Sequence, residues 1–127
     1  MEGIIMTNKF ENLAMEIYNW CYANELWEDS AIYFNGKAIA SWNTWSGVEG
    51  KKIAEGLYEY EDKNPLDYFE YANPDTLSMS FEGPLYDILN AYSEDWCWTE
   101  EAFINIFNKH GFYYEMGHAW NLSVYEL

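Results

Sequence analysis

Carboxylates placed close together, such as Glu59 with Glu61 and Glu94 with Asp95, are the first candidates for proton chemistry in this sequence. General-acid work needs one carboxyl held in an apolar pocket that raises its proton affinity while a neighbour stays ionised. In a chain with 22 acidic residues such pairs arise from composition alone, so they select no reaction. Metal chemistry would draw on Cys21, Cys97, His110 and His118, whose spacing matches no zinc ribbon or finger. Asp62, Asn64 and Asp67 offer oxygen ligands for calcium, but the twelve-residue loop with its glycine and closing glutamate is missing. No nucleophile elbow, phosphate-binding glycine loop or dinucleotide fingerprint occurs. The expectation is a protein that is not an enzyme and holds no metal or cofactor; a small hydrolase or metalloenzyme is the least favoured alternative. His110 is expected to neutralise the carbonyls at a helix end, and His118 to sit in a turn.

Collectively, the carboxylates suggest a different chemistry. The 22 acids face only six basic residues, all lysine, for a net charge of −16. Arginine, whose planar fork reads phosphates and guanines, is absent. Such a chain repels nucleic acid and anionic membranes and is drawn to basic protein surfaces. The charge is regional: residues 53–101 carry thirteen acids and the single lysine Lys63. Within that span, "GLYEYEDKNPLDYFEYANPD" (56–75) sets six carboxylates and five aromatic rings around Lys63. On one strand, Glu59 and Glu61 share a face about 6.6 Å apart, of the order of successive phosphates along a nucleic-acid strand. Glu59, Glu61, Asp62, Asp67, Glu70 and Asp75 are therefore candidate phosphate substitutes. Tyr58, Tyr60, Tyr68 and Tyr71 are expected to stiffen the surface or stack on a partner's arginines. The simpler alternative is that the acids only keep an aromatic-rich chain in solution.

The aromatic residues are core material first, yet seven tryptophans exceed what one small core needs. Trp42, Trp45, Trp96 and Trp98 fall in or beside expected loops, and one or two of them would serve as exposed anchors for a protein partner. This defines the alternative function: a non-catalytic protein-protein interaction module in which charge serves solubility alone.

These side chains must be positioned by elements that the sequence marks in turn. Thr7 or Asn8 is a capping residue for a helix through "KFENLAMEIYNWCYANEL", with Phe10, Leu13, Ile17, Trp20 and Cys21 at helical spacing. "AIYFNGKAIASW" reads as a hairpin about Asn35-Gly36, with strands near 30–35 and 37–43. Residues 44–56 read as a loop, 56–61 as a strand, and "PLDYFEYAN" as either an extended edge or one helical turn. "TLSMSF" alternates Leu77, Met79 and Phe81 with polar residues, the best period-two pattern present. Pro84 opens a short helix with Leu85, Ile88, Leu89 and Tyr92 on one side, and Thr99 starts another that carries Phe103, Ile106 and Phe107. "FYYEMG" and "AWNLSVYEL" form a closing hairpin through Gly117-His118. Helices interspersed irregularly among hairpins predict an α+β fold, an antiparallel sheet with about three helices packed on one face.

With 127 residues the chain is one domain, 1–127, and Met6 offers a second start that would make residues 1–6 a dispensable extension. The N-terminus lacks the basic start and apolar run of a secretory signal, so a cytoplasmic protein with reduced, buried Cys21 and Cys97 is expected. No stretch approaches the roughly 20 apolar residues of a membrane span.

The run "HGFYYEMGHAWNLSVYEL" together with "PDTLSMSFEGPLYDIL" resembles a group of small uncharacterised acidic proteins carried by phages and conjugative elements of low-GC bacteria. The resemblance covers most of the chain after residue 10 and carries over no functional residue. It implies a setting, a mobile element inside a bacterial host cell, where small acidic proteins often block host defence. In composition the chain is also similar to anti-restriction and anti-CRISPR nucleic-acid mimics. The expected partner is thus the basic surface of a host nucleic-acid-binding enzyme, a CRISPR effector or restriction enzyme. Glu59, Glu61, Asp62, Asp67, Glu70, Asp75, Tyr58, Tyr60, Trp96 and Trp98 are the expected contact residues.

Overall fold

The computed structural model of the protein describes residues 2–70, 72–92, 94 and 96–127, with side chains in the first helix from Lys9 onward. Tyr71 and Asp95, both named above, lie outside the described residues. The fold is α+β: three helices lie against a seven-stranded antiparallel sheet, and a two-stranded ribbon is added to it.

Strand β1 (Ser30–Phe34) is the centre of the sheet, and the Asn35-Gly36 turn leads it into β2 (Lys37–Ala40). Both turn residues have positive φ, 53° and 76°, the left-handed geometry that Asn-Gly supplies at low cost in a tight hairpin. Strands β3 (Thr44–Trp45) and β4 (Val48–Glu49) form the small ribbon, and β5 (Lys51–Ala54) runs into β6 (Leu57–Glu61). The loop expected over 44–56 is thus largely strand. Its residues show no period-two apolar pattern because β5 is an exposed edge, held by main-chain pairing with β6 and not by burial. Of "PLDYFEYAN", Pro65–Asp67 form a 3₁₀ turn, entered through Asn64.

Strand β7 (Ser78–Phe81) follows, then α2 (Pro84–Leu89), α3 (Trp96–Lys109), β8 (Phe112–His118) and β9 (Asn121–Glu126). The sheet order is β5-β6-β2-β1-β7-β9-β8. The first helix, α1, spans Glu2–Ala23, so Thr7 and Asn8 lie inside it. A capping side chain needs the chain before it to leave the helix, and the backbone of residues 2–6 does not. Likewise α3 begins three residues before Thr99, which places Trp96, Cys97 and Trp98 in its first turn. The last hairpin turns at Ala119-Trp120 and not at Gly117-His118. Gly117 falls at a register shift within β8, where the His118 N–H donates to Asn121 Oδ1 at 3.1 Å, a side chain standing in for a ladder carbonyl.

Strand alternation sorts the sheet residues into two buried layers. Ile32, Phe34, Ile39, Leu57, Met79, Phe81, Leu122 and Val124 face the helices and pack with Leu13, Ile17, Cys21, Phe103 and Phe107. Ala31, Tyr33, Ala38, Ala40 and Tyr60 point the other way, into a second cluster with Phe69. The small alanines leave room there for large rings supplied from outside the sheet.

Candidate partner-binding surface

The helix-free face of the sheet is roofed by aromatic residues drawn from three segments. Trp42 comes from the connection that leads into the ribbon, Trp45 from the ribbon itself, Tyr68 and Phe69 from the loop after β6, and Trp120 from the last turn. Tyr33 forms the floor, 2% exposed, with ring centroids 5.9 Å from Trp45, 5.8 Å from Tyr68 and 5.7 Å from Phe69. Trp45 meets Trp42 and Tyr60 edge-on at 5.1 Å and 5.2 Å, the geometry that aromatic quadrupoles favour. The ribbon is held down by the Tyr60 hydroxyl, which donates to the Trp42 carbonyl at 2.7 Å. Gly50 permits that approach: a Cβ there would sit 2.6 Å from the Tyr60 ring.

Lys63 is built into this roof. Its ammonium lies 4.4 Å from the Trp45 centroid and donates to the Tyr68 hydroxyl at 3.0 Å. The one lysine in the acidic span is therefore turned toward aromatic rings.

The loop from Asp62 to Leu77 is stapled across the same face. Asn64 accepts the Leu66 N–H at 2.9 Å, and Pro65 and Phe69 are buried. Further along, the Asn73 N–H donates to Ser123 Oγ and the Asn73 carbonyl accepts from Ser78 Oγ, both at 3.3 Å. Those two hydroxyls pair with each other at 2.9 Å on facing strands. Pro65 and Phe69 point inward while Leu66 stays 51% exposed; the loop presents Asp62, Asp67, Glu70 and Asp75, and Glu61 ends β6, all five exposed.

The structure separates the other expected contact residues. Glu59 and Glu61 share a strand face, as their spacing requires, but Glu59 is half-buried and pairs with Lys37 at 3.4 Å. In register, Glu59 also stands opposite Lys51, and Glu61 opposite Lys37. Tyr58 and Tyr60 point to the opposite side of β6, where both pack in the aromatic layer, and Tyr60 is 3% exposed. Neither tyrosine therefore flanks these two carboxylates; Tyr60 is a core residue. Trp96 and Trp98 are exposed, Trp98 at 76%, but belong to the helix layer through α3. Trp42 and Trp45 are half-buried roof residues.

Between the roof and the central strands β1 and β7 lies a cleft of about 240 Å³, lined by Trp42, Trp45, Tyr68, Phe69 and Trp120 over Tyr33, with Asp29, Ser80 and Glu82 at its polar side. Burial pushes the Tyr33 hydroxyl up to about 12, and the neighbouring Tyr68 and Glu82 add to the rise. Nothing in the residue pattern marks Asp29, Glu82 and Trp120 as members of one site, because they lie in three connections that only the sheet brings together. The nearest legible signal was the abundance of tryptophan.

The remaining candidates for chemistry are structural. His110 Nε2 lies 2.8 Å from Glu16 Oε1, and Lys109 pairs with the same carboxylate, so α3 is clasped to α1. Lys109 first, and His110 second, hold the Glu16 carboxyl below its ordinary range. His110 thus meets a side-chain carboxylate and not only its own helix carbonyls. Cys21 is buried, where desolvation raises its thiol well above the usual range. Cys97 is also free but exposed, contrary to the expectation of burial, because it rides the first turn of α3. Among the described residues no three His, Cys, Asp or Glu side chains group as metal ligands, and no helix is long and apolar enough to cross a membrane. No family model, curated protein or solved structure matches the chain.

Proposed function

We propose that this protein is an acidic inhibitor that occupies the basic nucleic-acid channel of a host defence enzyme, a CRISPR effector or restriction enzyme, in the cytoplasm of a bacterial host. The observation that supports this most is the segment 61–75. Four exposed carboxylates stand on a loop stapled to the sheet, exposed Glu61 ends the strand that leads into it, and the only lysine among them is turned into the aromatic roof. A fixed array of charge costs a partner little ordering on binding, which is what a stand-in for a nucleic-acid backbone requires. The weight falls on Glu61, Asp62, Asp67, Glu70 and Asp75. Glu59 contributes less, since Lys37 already offsets its charge.

Exposed Trp96 and Trp98 favour a second reading, an interaction module that docks through α3 by apolar contact. A panel of restriction nucleases and CRISPR effectors, assayed at low salt with increasing amounts of the protein, tests the first. Inhibition that competes with nucleic acid and fades as salt rises supports it. Absence of binding to every basic partner at low salt refutes it.

A further inference from the structure

The cleft on the helix-free face has the composition of a receptor for positive charge. Trp42, Trp45, Tyr68 and Trp120 give it aromatic walls, and Asp29 and Glu82 place two exposed carboxylates on its polar side. Its lining carries no basic group. Aromatic faces attract cations through the ring quadrupole, more strongly where water is thinned, and a carboxylate beside them adds direct attraction. The protein itself shows that these rings accept an ammonium: Lys63 sits 4.4 Å from Trp45 and 5.6 Å from Tyr68, two rings that also wall the cleft. We infer that this cleft is a binding site for an organic cation, a guanidinium or alkylammonium group held between Trp42, Trp45 and Trp120 and paired with Asp29 and Glu82.

The site is distinct in kind from the carboxylate array on segment 61–75. It recognises one cationic group in a single open cleft and does not depend on the protein being a nucleic-acid mimic. The group has two possible sources, a lysine or arginine side chain of a partner protein or a free small cation. Backbone-blocked arginine and lysine amides represent the first source; choline and tetramethylammonium represent the second.

Tryptophan fluorescence and amide NMR shifts of the full chain, titrated with each of these four probes, test the site. Saturable shifts centred on Trp42, Trp45 and Trp120 are expected with at least one probe, and the tighter class identifies the source. Blocked citrulline amide, which keeps the shape of arginine without its charge, should bind at least about tenfold more weakly. The double variant D29N/E82Q changes two exposed side chains, and Asn tolerates the positive φ of 58° at position 29, so folding should survive. It should weaken the best cation by at least about fivefold. No saturable response to any cation, equal binding of the citrulline probe, or undiminished binding by a folded D29N/E82Q would each overturn the assignment. Because the readout is a small probe, failure of the nuclease panel leaves this result standing, and the converse also holds.

Discussion

The Lys63 ammonium rests 4.4 Å from the Trp45 ring centroid, so the lone positive charge of the acidic span fastens its own loop to the aromatic roof. The contact anchors the segment and turns the ammonium toward the rings. Lys63→Met keeps most of the stem and removes the charge. It should lower stability by about 0.5–2 kcal/mol, read from the urea midpoint at constant m. Attraction to a basic partner should be retained or increased, since net charge becomes more negative.

Phe69 is the apolar staple of the same loop, buried between Tyr33 and Trp120. Phe69→Ala should cost about 3–5 kcal/mol, the range for emptying a buried aromatic site. Hydrogen exchange of the 62–77 amides should rise more than that of β1 or β7, because the loop loses its anchor while the central strands keep theirs. At temperatures where the variant stays folded, inhibition should weaken although no charge has changed.

The hairpin at Asn35-Gly36, the strand through Glu61, the period-two run to Phe81 and the apolar stripe of α1 were all legible, since each is set by local turn chemistry or spacing. The ribbon at 44–49 and edge strand β5 were not. β5 is held by pairing with β6 and the ribbon by its own pairing and the aromatic contacts of Trp45, and neither leaves a periodic trace. The acidic segment was recognisable as a charge run, but its facing depended on which way β6 pleats. Leu57 enters the helix-side core, which sends Glu59 and Glu61 to that side and Tyr58 and Tyr60 to the other. The Trp42-Trp45-Trp120 cleft needed the whole sheet order, as its members are separated by up to 78 positions in the chain.

Glu59 and Glu61 should separate under mutation despite sharing a face. Glu59→Gln breaks the half-buried pair with Lys37 and should cost up to about 1 kcal/mol of stability while changing partner binding less than two-fold. Glu61→Gln should be nearly neutral for stability and weaken binding more. Thermal melts alongside an affinity measurement decide the order, and a reversed order would return Glu59 to the contact surface.

The clasp of Glu16 by Lys109 and His110 gives a pH signature. The folded carboxyl is held below its ordinary value of 4.5, so its contribution is present above that value and is lost as pH falls through the lowered native value. The pair is partly exposed, which limits the effect to under about 1 kcal/mol. Comparing wild type with Glu16→Gln by urea unfolding should show a difference at pH 6 that shrinks toward zero in acid. A gap that widened on acidification would contradict the clasp.

If the carboxylates of segment 61–75 substitute for phosphates, reversing their charge should abolish inhibition. The variant E61K/D67K/E70K/D75K spares Asp62, whose φ of 55° suits Asp better than Lys, and leaves Phe69, Asn73 and the aromatic roof unchanged. For a nuclease inhibited by the wild-type protein, competition with its nucleic acid is measured across a salt series for both proteins. Wild-type inhibition should weaken steeply with salt, and the folded variant should no longer inhibit at low salt. Equal inhibition by the two proteins, with little dependence on salt, would contradict it and assign the contact to the exposed tryptophans of α3.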